Sequence, residues 1–330
     1  MDAILQLASA NLLSPPVLFF ILGFVGSIAG SQLTLPEAMA KTLSIYLMLA
    51  IGFKGGVALN AEGLSATLLL ALVVGAILSA IIPIVAFIIL QFVSKLPRVD
   101  AAAVAAHYGS ISIVTFVAAS QALEAIGLKP DGFMVAVAAV METPAIIVAL
   151  MLARGVRAKT RHNAGEEQEG LLKEVLLNSS IVVLMGAFII GTITGQTGMQ
   201  AVSGFIVVPF AGVLCLFLLD MGAVAGRGMG QGANVLNWRL VMFGLLMPFV
   251  GAIMALPMAW IAGLNAGSAA ILLTLAASAS YIAVPAALRI ALPEARPSVY
   301  LTLSLGVTFP MNLTLGIPTY AALGIWVSGG

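Results

Sequence analysis

The stretch "ASASYIAVPAAL" (residues 277–288) sets two serines, a tyrosine and a proline into a run otherwise apolar enough for the centre of a bilayer. Proline is favoured in the first turn of a helix, where its missing N–H costs nothing. The segment therefore reads as a half-helix, a break at 278–283 and a second half-helix beginning near Pro285. A break of this kind leaves free N–H groups at the head of the following half-helix, and the helix dipole adds partial positive charge there. Backbone alone then offers a site for an anion. In hydrocarbon, unpaired backbone survives only where protein or a water-filled cavity surrounds it. These residues thus require a bundle of membrane helices around them.

The remainder of the chain can supply that bundle. Of 330 residues, 61% are hydrophobic and 8% charged, against about 25% charged in soluble domains. Mean hydropathy is +1.14. Apolar runs of about 18 residues or more, enough to cross a bilayer core, recur throughout. The alternation of a β-barrel is absent, so the fold class is an all-α integral membrane protein. A net charge of +1 argues neither for nor against nucleic acid, and no nucleic-acid partner is expected. Cys215, the sole cysteine, lies in an apolar run and reads as a packing residue. The N-terminus lacks the basic region of a cleaved signal peptide.

Ten spans are expected, near 15–31, 36–53, 64–93, 99–122, 132–154, 175–195, 203–221, 238–263, 268–288 and 298–327. The polar segment 154–174 divides them into a first repeat (1–153) and a second (175–330). Basic residues test the orientation. With that linker cytoplasmic, 12 of the 14 Lys and Arg lie inside, and only Lys54 and Lys129 lie outside. Both termini then face outward. Five spans per half is an odd number, so any internal repeat is inverted, as in many secondary transporters. Weak repeats support it: Val57 matches Val224 at an offset of 167, Ser112 matches Ser280 at 168, and Pro144 matches Pro310 at 166. On this reading Lys54 and Asp220 end the second and seventh spans, on opposite faces.

Chemistry concentrates in the paired fourth and ninth spans. The fourth places Gly109, Ser110, Ser112 and Thr115 at mid-span, opposite Ser278, Ala279, Ser280 and Tyr281 of the ninth. Small residues in membrane helices commonly serve packing, but two such clusters at repeat-related positions favour a site. Glu142 lies inside the fifth span, two residues before Pro144. An acid there either holds a cation or proton, or bonds backbone freed by the proline. The related segment of the tenth span carries Thr308, Pro310 and Asn312. His107 reads as a hydrogen-bonded packing residue, and Trp238, Trp260 and Trp326 as interfacial anchors. No phosphate-cradling loop, catalytic triad or transition-metal cluster is visible, so no enzyme is expected.

The segments "LPEAMAKTLSIYLMLAIGFKGGVAL" (35–59), "GSISIVT" (109–115), "METPAIIVALML" (141–152) and "AASASYIAVPAALRIALPEARPSVY" (276–300) resemble the sodium-dependent bicarbonate transporter family of cyanobacterial carbon uptake. The resemblance implies two inverted five-helix repeats, with a core bundle of spans 3–5 and 8–10 moving against a gate bundle of spans 1, 2, 6 and 7. It also implies a homotrimer in a bacterial inner membrane. Bicarbonate would lie between spans 4 and 9, at Gly109, Ser110, Ser112, Ser278, Ala279, Ser280 and Tyr281. Sodium, the coupling ion, would lie near Thr115, Glu142, Ser280, Thr308 and Asn312. Glu142 falls where the family tends to have aspartate, and Tyr281 where cyanobacterial members carry an acid. The family's PII-like regulator would meet the cytoplasmic face, although the central segment is short. Sodium-dependent bicarbonate symport is the expected function. Coupled transport of another small carboxylate, and a non-transporting sensor or scaffold, are the alternatives.

Overall fold

The computed structural model describes residues 12–33, 35–154, 179–232, 237–281, 284, 285, 287, 288 and 292–329. The proposed cytoplasmic linker 154–174 lies, beyond Arg154, outside the described residues. In chain order the helices are α1 (Pro15–Ile28), α2 (Glu37–Glu62), α3 (Ala66–Val93), α4 (Arg98–Gly109), α5 (Ile113–Ala125), α6 (Met134–Val140), α7 (Glu142–Arg154) and α8 (Ser179–Ile206). They continue with α9 (Phe210–Gly232), α10 (Trp238–Ile261), α11 (Ala266–Ala277) and α12 (Pro297–Val327). Among the described residues no strand occurs. Eight helices or broken-helix pairs are long and apolar enough to cross a membrane, and α1 and α11 are shorter apolar helices of 14 and 12 residues.

Side-chain size separates the lipid face from the protein face. On α3, Leu69, Val73, Ile77, Ile81, Ile84 and Ile88 recur every three or four residues and are exposed. Its opposite face buries Ala71, Gly75, Ser79 and Ala86, small residues that let neighbouring backbones approach. The Arg98–Ala125 segment, by contrast, is buried continuously from Asp100 to Ala119, and α11 is buried from Gly267 to Ala277. Both broken helices therefore run through protein rather than lipid, the one place where their open backbone is tolerated. Trp238 and Trp260 stand at the two ends of α10, and Trp326 near the end of α12, all exposed.

Two helix pairs pack along their length, α1 with α9 and α2 with α8. Glycines bring the backbones together. A Cβ on Gly23 would overlap the Leu219 carbonyl, and one on Gly222 the Phe20 carbonyl. In the other pair, Gly191 lies against the Phe53 carbonyl and Gly56 against the Phe188 carbonyl. Gly56→Ala is expected to destabilise the protein by about 1–3 kcal/mol through overpacking. Gly186 has nothing within 4 Å of a built Cβ, so Gly186→Ala should be neutral or slightly stabilising. Melting of the purified variants in detergent checks both.

Several expected boundaries shift. The second span was expected to end at 53, but α2 continues to Glu62 because Gly55 and Gly56 serve close packing against α6 and α8 and do not end the helix. The sixth runs past 195 to Ile206 across a kink at Gly195, whose φ of 55° suits glycine. The seventh was expected over 203–221, but α9 spans Phe210–Gly232. Asp220 is consequently not at a solvated end. It is 3% exposed and accepts the Leu35 N–H at 3.2 Å, while Arg227 donates to the Leu33 carbonyl at 3.0 Å. Lys54 likewise lies inside α2, where it pairs with Glu124 at 3.2 Å.

A crossing of two broken helices

The fourth span divides into α4 and α5 around an extended segment, with ψ of 158° at Ser110 and 107° at Ser112. Ser112 caps α5, its Oγ accepting the Thr115 N–H at 3.2 Å. Ile113 and Val114 are thereby left with N–H groups that have no acceptor within their helix. The ninth span breaks in the same manner. After α11, Ser278 is extended with ψ of 163°, and residues 284, 285, 287 and 288 are helical again.

The two breaks are bonded to each other. The Ser280 N–H donates to the His107 carbonyl at 2.8 Å, and the Ser112 N–H donates to Ser278 Oγ at 2.8 Å. The Ser278 hydroxyl in turn donates to the Leu275 carbonyl at 2.8 Å. His107 Nδ1 also bonds the Ser280 carbonyl, and its ring stacks on Tyr300 at 4.5 Å. A carbonyl only accepts, so Nδ1 carries a proton, and Nε2 is buried with no partner among the described residues. Ser110, Ser112, Ser278 and Ser280 are all buried. Gly109 at the end of α4 lies where a Cβ would strike the Pro83 ring and Ala145.

Glu142 opens α7 and is 1% exposed. Its Oε2 accepts from Ser110 Oγ at 2.8 Å. Its Oε1 is buried and, among the described residues, has no partner. The backbone near Pro144 is closed by another residue. Ser79 of α3 donates to the Met141 carbonyl at 2.5 Å and accepts the Ala145 N–H at 3.2 Å. Its hydroxyl is thus inserted where an i to i−4 bond would run. The orphaned carboxylate oxygen matches the need of a buried acid for a cation or proton.

The tenth span frames the crossing. α12 contains π-helical turns at Thr302–Thr308 and Asn312–Gly316. Thr308 Oγ1 donates to the Gly244 carbonyl at 2.8 Å and receives the Tyr108 hydroxyl at 2.5 Å. Asn312 donates to the Ala277 carbonyl at 2.8 Å, satisfying an orphan carbonyl at the end of α11. Its Oδ1 takes the Tyr320 hydroxyl at 2.8 Å. Thr308 and Asn312 are therefore engaged in holding helices. Tyr281 packs edge-on against Phe309 at 5.5 Å, and its hydroxyl is buried beside Ser112 without a well-aligned partner among the described residues. Ala279 is buried in the break.

Residues 15–324, nearly the whole chain, match the Na+-dependent bicarbonate transporter superfamily. The chain belongs to that superfamily. No curated protein was found to match it. Superfamily membership is consistent with a multi-pass membrane transporter and with sodium dependence. Among the described residues no group of three or more His, Cys, Asp or Glu could hold a metal ion. Sodium needs no such group, since hydroxyls, carbonyls and one carboxylate suffice for it.

Sequence reasoning passed over three sets of residues that hold this superfamily member's crossing in place. Ser79 was readable as a hydroxyl one turn before Pro83 in an otherwise apolar run. Asp100, in the first turn of α4, takes the Arg296 side chain at 2.7 Å and its N–H at 2.9 Å. Ser268, in the first turn of α11, donates to Asp131 at 2.8 Å, as does Asn265. Asp100 and Ser268 differ by 168 positions, the offset already visible in Ser112 and Ser280.

Proposed function

We propose that the protein is a secondary active transporter that carries bicarbonate together with sodium. The observation carrying this reading is the pair of mutually bonded breaks inside the bundle. They bring the N-terminus of α5 and the serine hydroxyls to one buried place, beside a carboxylate with an orphaned oxygen. The anion would sit among Gly109, Ser110, Ser112, Ser278, Ala279, Ser280 and Tyr281. The cation would sit near Glu142, Thr115 and Ser280, with Thr308 and Asn312 supporting them.

An inverted five-plus-five repeat supports alternating access. Gly23 meets Leu219 and Gly191 meets Phe53, pairs related by offsets of 168 and 166. Gly222 meets Phe20 and Gly56 meets Phe188, related by the same two offsets. Pro83 fills the space over Gly109, while Gly251, 168 positions later, accommodates the Ala276 carbonyl. On this reading α1, α2, α8 and α9 form the gate and α3–α7 with α10–α12 form the moving core. A homotrimer in a bacterial inner membrane, with both termini outside and a PII-like regulator on the cytoplasmic face, completes the proposal.

Proteoliposomes test it. An inward sodium gradient should drive accumulation of labelled bicarbonate, and replacing sodium by potassium should remove the accumulation. Uptake indifferent to sodium would overturn the coupled mechanism. One observation favours a second reading. The Tyr281 ring, packed against Phe309 with its hydroxyl beside Ser112, suits a larger, less polar carboxylate, and competition by a panel of monocarboxylates separates the two. A protein that binds such anions without moving them would be the sensor or scaffold.

A further inference from the structure

A cavity of about 310 Å³ lies between α2, α5, the start of α6, the kinked part of α8 and the start of α9. On its α5 wall Glu124, Gln121, Ser120 and Phe116 descend at helical spacing. The last of them is one turn from the break, since the Phe116 N–H donates to the Ser112 carbonyl at 2.9 Å. At the mouth, Lys54 Nζ contacts both Glu124 oxygens at 3.3 and 3.2 Å and lies 5.5 Å over the Phe210 ring. Lys54 and Phe210 ride on α2 and α9, and Glu124 on α5. The other acid of the rim, Asp131, is already engaged by Ser268 and Asn265.

We propose that this cavity is an access vestibule and that Lys54–Glu124 is a latch across its mouth, released when an incoming small oxoanion takes Glu124's place on Lys54. The two side chains are 30% and 39% exposed. A wet ion pair of this kind adds little to stability and opens at small cost. It also joins one helix of the proposed gate to one of the proposed core, so its release frees the two to move. In this respect the inference rests on the transport reading. Glu124 keeps the vestibule close to neutral while empty, and an anion that replaces it leaves the carboxylate free to turn to water.

The test uses purified protein carrying Cys215→Ala and Ser120→Cys, with maleimide labelling of residue 120 as the readout. Glu124→Gln should speed labelling by about fivefold, the scale expected for loss of one exposed pair. Bicarbonate should speed labelling of the intact-latch protein and leave the Glu124→Gln protein unaffected. The double exchange Lys54→Glu with Glu124→Lys should return slow labelling, which shows that the fold tolerates change here. Equal rates with and without Glu124→Gln overturn the latch. Acceleration by Glu124→Gln but by no anion overturns release by the substrate. Acceleration by acetate and not by bicarbonate supports the latch and removes bicarbonate as the substrate.

Discussion

Replacing Glu142 with glutamine is expected to raise the sodium concentration for half-maximal bicarbonate uptake by about ten- to a hundredfold. Glutamine keeps the length of the side chain and an oxygen for Ser110, whose hydroxyl lies 2.8 Å from Oε2. What changes is the charge and the orphaned Oε1. Bonds to a charged group contribute about 1.5–3 kcal/mol, which sets the expected range. The competing account gives Glu142 only a structural bond to backbone freed by Pro144. Among the described residues the Glu142 carboxylate bonds Ser110 and no backbone, while Ser79 bridges the interrupted Ala145 N–H and Met141 carbonyl. Glu142→Gln should therefore melt close to the parent protein while losing sodium affinity. Glu142→Asp keeps the charge and should retain sodium-driven uptake with a smaller shift. An unchanged sodium dependence in Glu142→Gln would falsify the cation role.

The break in the ninth span was legible in the sequence because local chemistry announces it. Pro285 has no N–H to give the preceding turn, and the serines before it have no place in hydrocarbon unless protein surrounds them. The fourth span was legible through its offset of 168 from the ninth. Helix extents were less so. A reading that ends spans at the first polar residue stopped α2 at Lys54 and placed Asp220 at an end. Both residues sit inside helices because a partner elsewhere compensates them, Glu124 at 70 positions' separation and the Leu35 N–H at 185. His107 was read as a hydrogen-bonded packing residue, and its ring bonds Ser280 and stacks on Tyr300. That its own backbone would receive the Ser280 N–H depends on how two distant segments cross, which no local pattern contains.

The same long-range logic makes Arg296→Ala the substitution with the largest expected effect on stability, about 2–4 kcal/mol. Asp100 is 4% exposed as a side chain and takes Arg296 Nε and Nη2 at 2.7 Å each. Removing one partner of a fully buried pair costs about 3–5 kcal/mol, and this pair is buried on one side only, since the Arg296 side chain is 54% exposed. Here the cost is somewhat less, because the Arg296 N–H still reaches Asp100 at 2.9 Å and the head of α4 favours a negative charge. Asp100→Asn should cost less than Arg296→Ala, since it leaves no buried charge behind. Adding Asp100→Asn to Arg296→Ala should then recover much of the loss, a coupling that independent sites do not show. Ser268→Ala tests the related clamp, where a neutral hydroxyl serves Asp131, and its loss should be nearer 1–2 kcal/mol. If Arg296→Ala melts with the parent, the head of α4 is held by packing alone. If it melts well below the parent and Asp100→Asn rescues it, the charge is what ties the start of α4 to the start of α12.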